Sequence, residues 1–268
     1  MSYQTIIVGG GRMGSALAEG LLRVGWCDPR DLLIVETSRE ARDELARRLP
    51  SVETTPSLEL AHVDETTGAV LCVKPDQAES AARLLATVGV ARVLSVVAGF
   101  SCARVEAVFP GPVAVVRSMP NTPVLVGKGA SAIAGGSYVT KADLDWAESI
   151  LGAVGVVVRV TERHLDAVTG LSGSMPAYLY LVVESLVEAG VHQGLPREVA
   201  RTLVFATFEG SATLLAVSGE SPEVLRAQVT SPGGTTAAGL RVLENRAVRG
   251  AVLDAVAAAA ERSRNLSR

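Results

Sequence analysis

Short β-branched runs separated by helix-spaced apolar residues occupy the chain up to about residue 160. The runs Ile6 to Val8, Leu32 to Val35, Ala69 to Val73, Val93 to Val97 and Val113 to Val116 are nearly continuous in apolar residues instead of alternating. Strands covered by helices on both faces read this way, which predicts βαβ units and a mainly parallel sheet. Two shorter runs, Ser131 to Ala134 and Val156 to Val160, complete it. Between the runs, Ala16, Leu17, Gly20, Leu21 and Val24, and later Leu144, Ala147, Ile150 and Leu151, recur every three or four residues, as helices require.

After Thr161 the strand signals stop. Helices are expected over Tyr178 to Ala189, Arg197 to Val217, Pro222 to Val229, Thr235 to Asn245 and Ala251 to Arg262. Several are apolar around most of their circumference, Tyr178 to Val183 above all, so no side is left for water. A subunit interface is the expected use of such a surface. The uncharged stretch from Ala167 to Val183 contains Gly170, Gly173 and Pro176 and is too short to span a bilayer, so it reads as a buried helix with a break before it. The expected division is an α/β part, residues 1–161, and an all-helical part, residues 162–268.

Composition narrows the partners. Of 268 residues 48% are hydrophobic and 20% charged, more apolar than a lone monomer needs, which again points to an oligomer. Lysine and arginine total 25 against 28 acidic residues, a net charge of −3, so nucleic acid and anionic membrane are not expected partners. Cys27, Cys72 and Cys102 are odd in number and irregularly spaced, as in a reduced protein without structural zinc. His62, His164 and His192 lie apart from one another, with no metal-ligand spacing, and read as surface or capping residues. The opening runs from Met1 into Thr5-Ile6-Ile7-Val8 without a basic, cleavable leader, and reads as a cytoplasmic start.

The chemistry begins at Gly9-Gly10-Gly11-Arg12-Met13-Gly14, which follows the first strand and opens a helix. In that context G-x-G-x-x-G is the dinucleotide fingerprint: glycines allow a tight turn, and the helix N-terminus receives a pyrophosphate. Its backbone, with Arg12 and Met13, is assigned to the cofactor. Glu36 ends the second strand, where a carboxylate accepts from an adenosine ribose and favours NAD(H). Thr37, Ser38 and Arg39 follow directly and could instead hold the 2′-phosphate of NADP(H), so the two readings stay open. Val73-Lys74-Pro75 and Ala98-Gly99 end the third and fourth strands, on the edge where open α/β sheets bind ligands. The Arg117-to-Pro123 loop lies at the same edge, and its Asn121 is expected to face the nicotinamide. Near the end, Thr230-Ser231-Pro232-Gly233-Gly234-Thr235-Thr236 opens a helix with glycines and hydroxyls, suited to a carboxylate or, with no ligand, to a plain cap by Ser231 or Thr235.

Together the opening fingerprint, the Arg117-x-Met119-Pro120-Asn121-Thr122-Pro123 loop and the Val229-to-Thr236 stretch resemble the pyrroline-5-carboxylate reductase family over nearly the whole chain. The resemblance implies a Rossmann-like, doubly wound N-terminal domain and a helical C-terminal domain that dimerises by interleaving, giving dimers or rings of dimers. It implies hydride transfer from NADH or NADPH to the C=N bond of Δ1-pyrroline-5-carboxylate, yielding L-proline. It also places the substrate carboxylate on Ser231, Gly233, Gly234, Thr235 and Thr236, with Thr236 as the hydrogen-bond or proton donor to the ring nitrogen.

One departure is visible in Ser172-Gly173-Ser174-Met175-Pro176-Ala177-Tyr178, similar to the family's G-S-G-P-A-Y motif with Met175 in place of the second glycine. Either Met175 packs locally or it reshapes the substrate site. The second case would make the chain a reductase of another cyclic imino acid. A non-catalytic nucleotide-binding paralogue is the third alternative, since fold alone does not fix function.

Overall fold

The computed structural model describes residues 3–58, 63, 64 and 66–266, so His62 lies outside the described residues. The chain forms two compact units, Met1–Ser174 with Ala257–Arg268, and Met175–Val256.

The first unit is built on eight strands: β1 (Thr5–Val8), β2 (Leu32–Val35), β3 (Glu53–Thr55), β4 (Gly68–Leu71), β5 (Arg92–Ser95), β6 (Ala114–Met119), β7 (Gly129–Gly135) and β8 (Gly155–Arg159). Their order in the sheet is β3-β2-β1-β4-β5-β6-β7-β8. All described neighbours are parallel except β6 and β7. Seven strands were expected. The eighth, Glu53-Thr54-Thr55, is three residues long at the sheet edge with Glu53 exposed, so it carries no apolar run.

Helices α1 (Arg12–Arg23), α2 (Arg39–Arg48), α3 (Ala78–Val88), α4 (Cys102–Glu106) and α5 (Lys141–Gly152) cover the sheet. Alternate strand residues enter two cores: Ile7, Leu32 and Ile34 join Leu17 and Leu21 of α1, whereas Ile6, Val8, Leu33 and Val35 join Ala82 and Leu85 of α3. Burial on both faces explains why the strands read as unbroken apolar runs.

The first compact unit runs on through Ser174. The short α6 (Leu165–Val168) and the π-turn Thr169–Gly173 belong with the sheet, because Leu165 packs with Met119, Ala132 and Ala134. Ser172 also accepts a hydrogen bond from the Asn121 amide at 3.2 Å. The end of α11 (Val248–Leu266) returns to this unit as well, where the Ser263 hydroxyl donates to Asp166.

The second unit comprises α7 (Met175–His192), α8 (Arg197–Ser218), α9 (Pro222–Gln228), α10 (Thr235–Asn245) and the start of α11. Within α7 to α10 only Pro176, Val187 and Ala200 are buried. The expectation of a buried helix up to Val183 is therefore corrected: Tyr180 and Leu181 are 66% and 63% exposed in the single chain. A helix apolar all round needs partners on every side, and these helices have too few neighbours within one chain to supply them.

Candidate active site

The strand order reverses between β1 and β4, which opens a crevice at the carboxyl ends of the strands. A cavity of about 500 Å³ lies there. Gly9, Gly11, Glu36, Thr37, Ser38, Val73 and Lys74 line it, all of them expected from the sequence.

The fingerprint glycines divide their work. Gly9 sits at φ +103, and a Cβ there would lie 2.6 Å from the Cys72 carbonyl oxygen. At Gly14 a Cβ would overlap the Gly9 carbonyl oxygen, so this glycine lets α1 start hard against the loop. At Gly11 a Cβ would meet no protein atom. Gly11 is also the N-cap of α1 and makes no side-chain cap, so the first N–H groups of the helix are left to a ligand. A pyrophosphate fits this cradle by close approach at Gly11 and by the helix dipole. Of the remaining fingerprint residues, Arg12 is exposed at the first turn, while the Met13 side chain packs onto the core and leaves only its backbone for a ligand.

Glu36 is held across the mouth. Its Oε2 accepts from the Gly10 N–H at 2.9 Å and its Oε1 from the Ser38 N–H at 2.8 Å. Ser38 caps α2 by accepting from Ala41, and Arg42 donates to the carbonyls of Glu36 and Thr37, both at 2.8 Å. Arg39 does not reach the cavity; its side chain is 87% exposed and faces Asp43 one turn on.

Other expected residues take different places. Lys74 is exposed, and Pro75 opens a single 3-10 turn. Ala98 is exposed, and Gly99, at φ +73, packs near the backbone of Leu266. Neither lines the cavity. Asn121 is buried, accepts from Ala130 N–H at 2.9 Å and donates to Ser172, so its amide fastens the loop to its surroundings.

Sequence reasoning missed Pro56, Ser57 and Leu58 after the unrecognised β3, and Gln77, Ser80, Ala81 and Leu84. The last four follow i, i+3, i+4, i+7 spacing on one face at and just before α3, a signal that was there to be read. Cys72 also lines the cavity, and burial pushes its thiol up to about 12.

In the second unit, Gly234 is the N-cap of α10 and makes no side-chain cap, which displaces the plain cap by Ser231 or Thr235. Gly233 sits at φ +69, and a Cβ on Gly234 would lie 2.5 Å from the Ser231 hydroxyl oxygen. Ser231, Gly233, Thr235 and Thr236 are exposed in the single chain. Met175 opens α7 and is 37% exposed in the single chain. His164 meets the Thr161 hydroxyl at 3.1 Å, and His192 is exposed at the end of α7. Among the described residues no cluster of His, Cys, Asp or Glu is placed to hold a metal ion.

Fold and site together define a Rossmann-type, nicotinamide-dependent oxidoreductase with a helical dimerisation domain. The family model described as pyrroline-5-carboxylate reductase dimerisation matches residues 162–266, and one described as NADP oxidoreductase, coenzyme F420-dependent, matches residues 5–99. A pyrroline-5-carboxylate reductase of Corynebacterium melassecola is 42% identical, with 98% of each chain covered. Among solved structures, a pyrroline-5-carboxylate reductase from Coxiella burnetii superposes with a TM-score of 0.92 at 32% identity, covering all of both chains. The Plasmodium falciparum pyrroline carboxylate reductase with NADP bound gives 0.84 at 31% identity over 98% of each chain. The chain belongs to the pyrroline-5-carboxylate reductase family.

Proposed function

We propose that this protein is a pyrroline-5-carboxylate reductase, reducing the C=N bond of Δ1-pyrroline-5-carboxylate to give L-proline in proline biosynthesis. The observation that carries the reading is the joint presence of two uncapped, glycine-led helix starts, at Gly11 and at Gly234. The bound reduced nicotinamide, NADH or NADPH, supplies the hydride. The fingerprint Gly9, Gly11 and Gly14, with the backbone of Arg12 and Met13, holds the pyrophosphate. Glu36, Thr37 and Ser38 meet the adenosine ribose, and Val73 and Lys74 flank it.

Ser231, Gly233, Gly234 and Thr235 bind the substrate carboxylate at the start of α10, where free N–H groups and the dipole favour an anion. Thr236, one residue into the same turn, donates a hydrogen bond to the ring nitrogen, and Met175 borders the substrate. A cyclic iminium needs little further acid catalysis, so positioning supplies much of the rate. The division into a dinucleotide-binding part, 1–161, and a substrate-binding and dimerising part, 162–268, belongs to this proposal. So do a cytoplasmic location, assembly as a homodimer or a larger ring of dimers, and the lack of nucleic-acid or membrane partners. Among the described residues no helix is long and apolar enough to cross a membrane.

The test is the loss of reduced-nicotinamide absorbance with Δ1-pyrroline-5-carboxylate, run beside a six-membered cyclic imino acid. Saturable turnover of the five-membered ring is expected. Preference for the larger ring would favour the Met175 reading, and cofactor binding without turnover of either would sink catalysis. Thr236→Ala is expected to lower kcat about 10²-fold, with no change in Tm because the residue is exposed.

A further inference from the structure

The carboxylate of Glu36 sits where the choice between the two nicotinamide cofactors is made. It lines the cavity beside Gly9 and Gly11, at the end of the strand next to the fingerprint strand. Two backbone N–H groups pin it, Gly10 on one oxygen and Ser38 on the other, so it cannot swing away from an incoming ligand without breaking both bonds. An ionised carboxylate has about four acceptor positions; two are taken, and two remain for a vicinal diol.

The two arginines nearby do not line the cavity. Arg39 points to solvent and faces Asp43, and Arg42 is fixed on the carbonyls of Glu36 and Thr37 and does not line the space. The Ser38 hydroxyl oxygen accepts from the Ala41 N–H as the cap of α2 and brings no charge to the cavity. A 2′-phosphate would thus meet a fixed negative charge with no cation lining the cavity beside it except Lys74.

We propose that Glu36 selects the unphosphorylated cofactor, making NADH the preferred reductant over NADPH by repulsion of the 2′-phosphate. The inference rests on the dinucleotide reading given above. Selection at this position follows the general rule that an acidic residue after the second strand accepts from a ribose hydroxyl.

The test is calorimetric titration of the intact protein with ADP-ribose and with 2′-phospho-ADP-ribose, which needs no turnover. ADP-ribose is expected to bind at least tenfold more tightly. In Glu36→Gln, which keeps the side chain's shape and removes its charge, the ratio is expected to shrink several-fold. Equal or tighter binding of the phosphorylated probe by the unaltered protein overturns the inference and leaves the dinucleotide site standing. An unchanged ratio in Glu36→Gln removes Glu36 as its cause. Failure of both probes to bind overturns the dinucleotide reading itself, and this inference with it.

Discussion

At the scale of single residues, Gly11 and Gly14 lie three positions apart and answer to different demands. Gly14→Ala would drive a methyl into the Gly9 carbonyl, at a cost of about 1–3 kcal/mol, and is expected to lower Tm and weaken dinucleotide binding together. Gly11→Ala meets nothing in the protein, so Tm should hold while binding falls. Thermal melts beside fluorescence titration with NADH separate the two; equal behaviour of the pair would contradict the division of roles. The cysteines give a second test. Burial raises the thiols of Cys72 and Cys102 to about 12, and burial with Asp31 and Asp28 raises Cys27 to about 11. Unfolded thiols ionise near 8.5, so on raising the pH the unfolded state loses protons first. The stability they contribute is full below about pH 8.5 and is lost as the pH climbs toward the folded values. Tm is expected to decline between pH 8 and 10.5, and less steeply in Cys72→Ala.

At the scale of elements, one ion pair ties three of them together. Arg117 of β6 is 5% exposed at its side chain and donates to Glu162 at 3.1 Å. The same carboxylate oxygen accepts from Cys102 N–H at the start of α4 at 2.9 Å. Two further guanidinium nitrogens of Arg117 have no partner among the described residues. Removing the carboxylate strands a buried charge, whereas removing the arginine strands far less. Glu162→Ala is therefore expected to cost about 3 kcal/mol in denaturant unfolding, and Arg117→Met less; the reverse order would show that the pair does not set the local stability. None of this was legible in the sequence, because Arg117 and Glu162 are brought together only by the antiparallel pairing of β6 with β7 and the chain's return through β8. The strands themselves were legible where both faces are buried, and β3 was not, because an exposed edge imposes no apolar pattern.

At the scale of the whole molecule, large apolar side chains lie exposed along α7, α8 and α11, among them Tyr180, Leu181, Phe205, Val217 and Leu253. These helices fall within the match to the family's dimerisation domain. Leu181→Lys combined with Leu253→Lys is expected to shift the protein to monomer in light scattering. The change should also abolish the concentration dependence of Tm that a stabilising association produces. An unaltered oligomer would place the interface elsewhere on the helical unit.

The sequence by itself determined the doubly wound sheet, the fingerprint with its strand and helix, the glycine-rich start of α10 and the apolar excess of the helical half. Each is a local pattern, since strand burial, helix period and glycine requirement are imposed on neighbouring positions. Only the tertiary structure put Glu36 and not Arg39 in the cavity lining, bonded Asn121 to Ala130 and Ser172, and joined α6 to the sheet. Those outcomes depend on where side chains point and on contacts across tens of residues, which no spacing along the chain encodes.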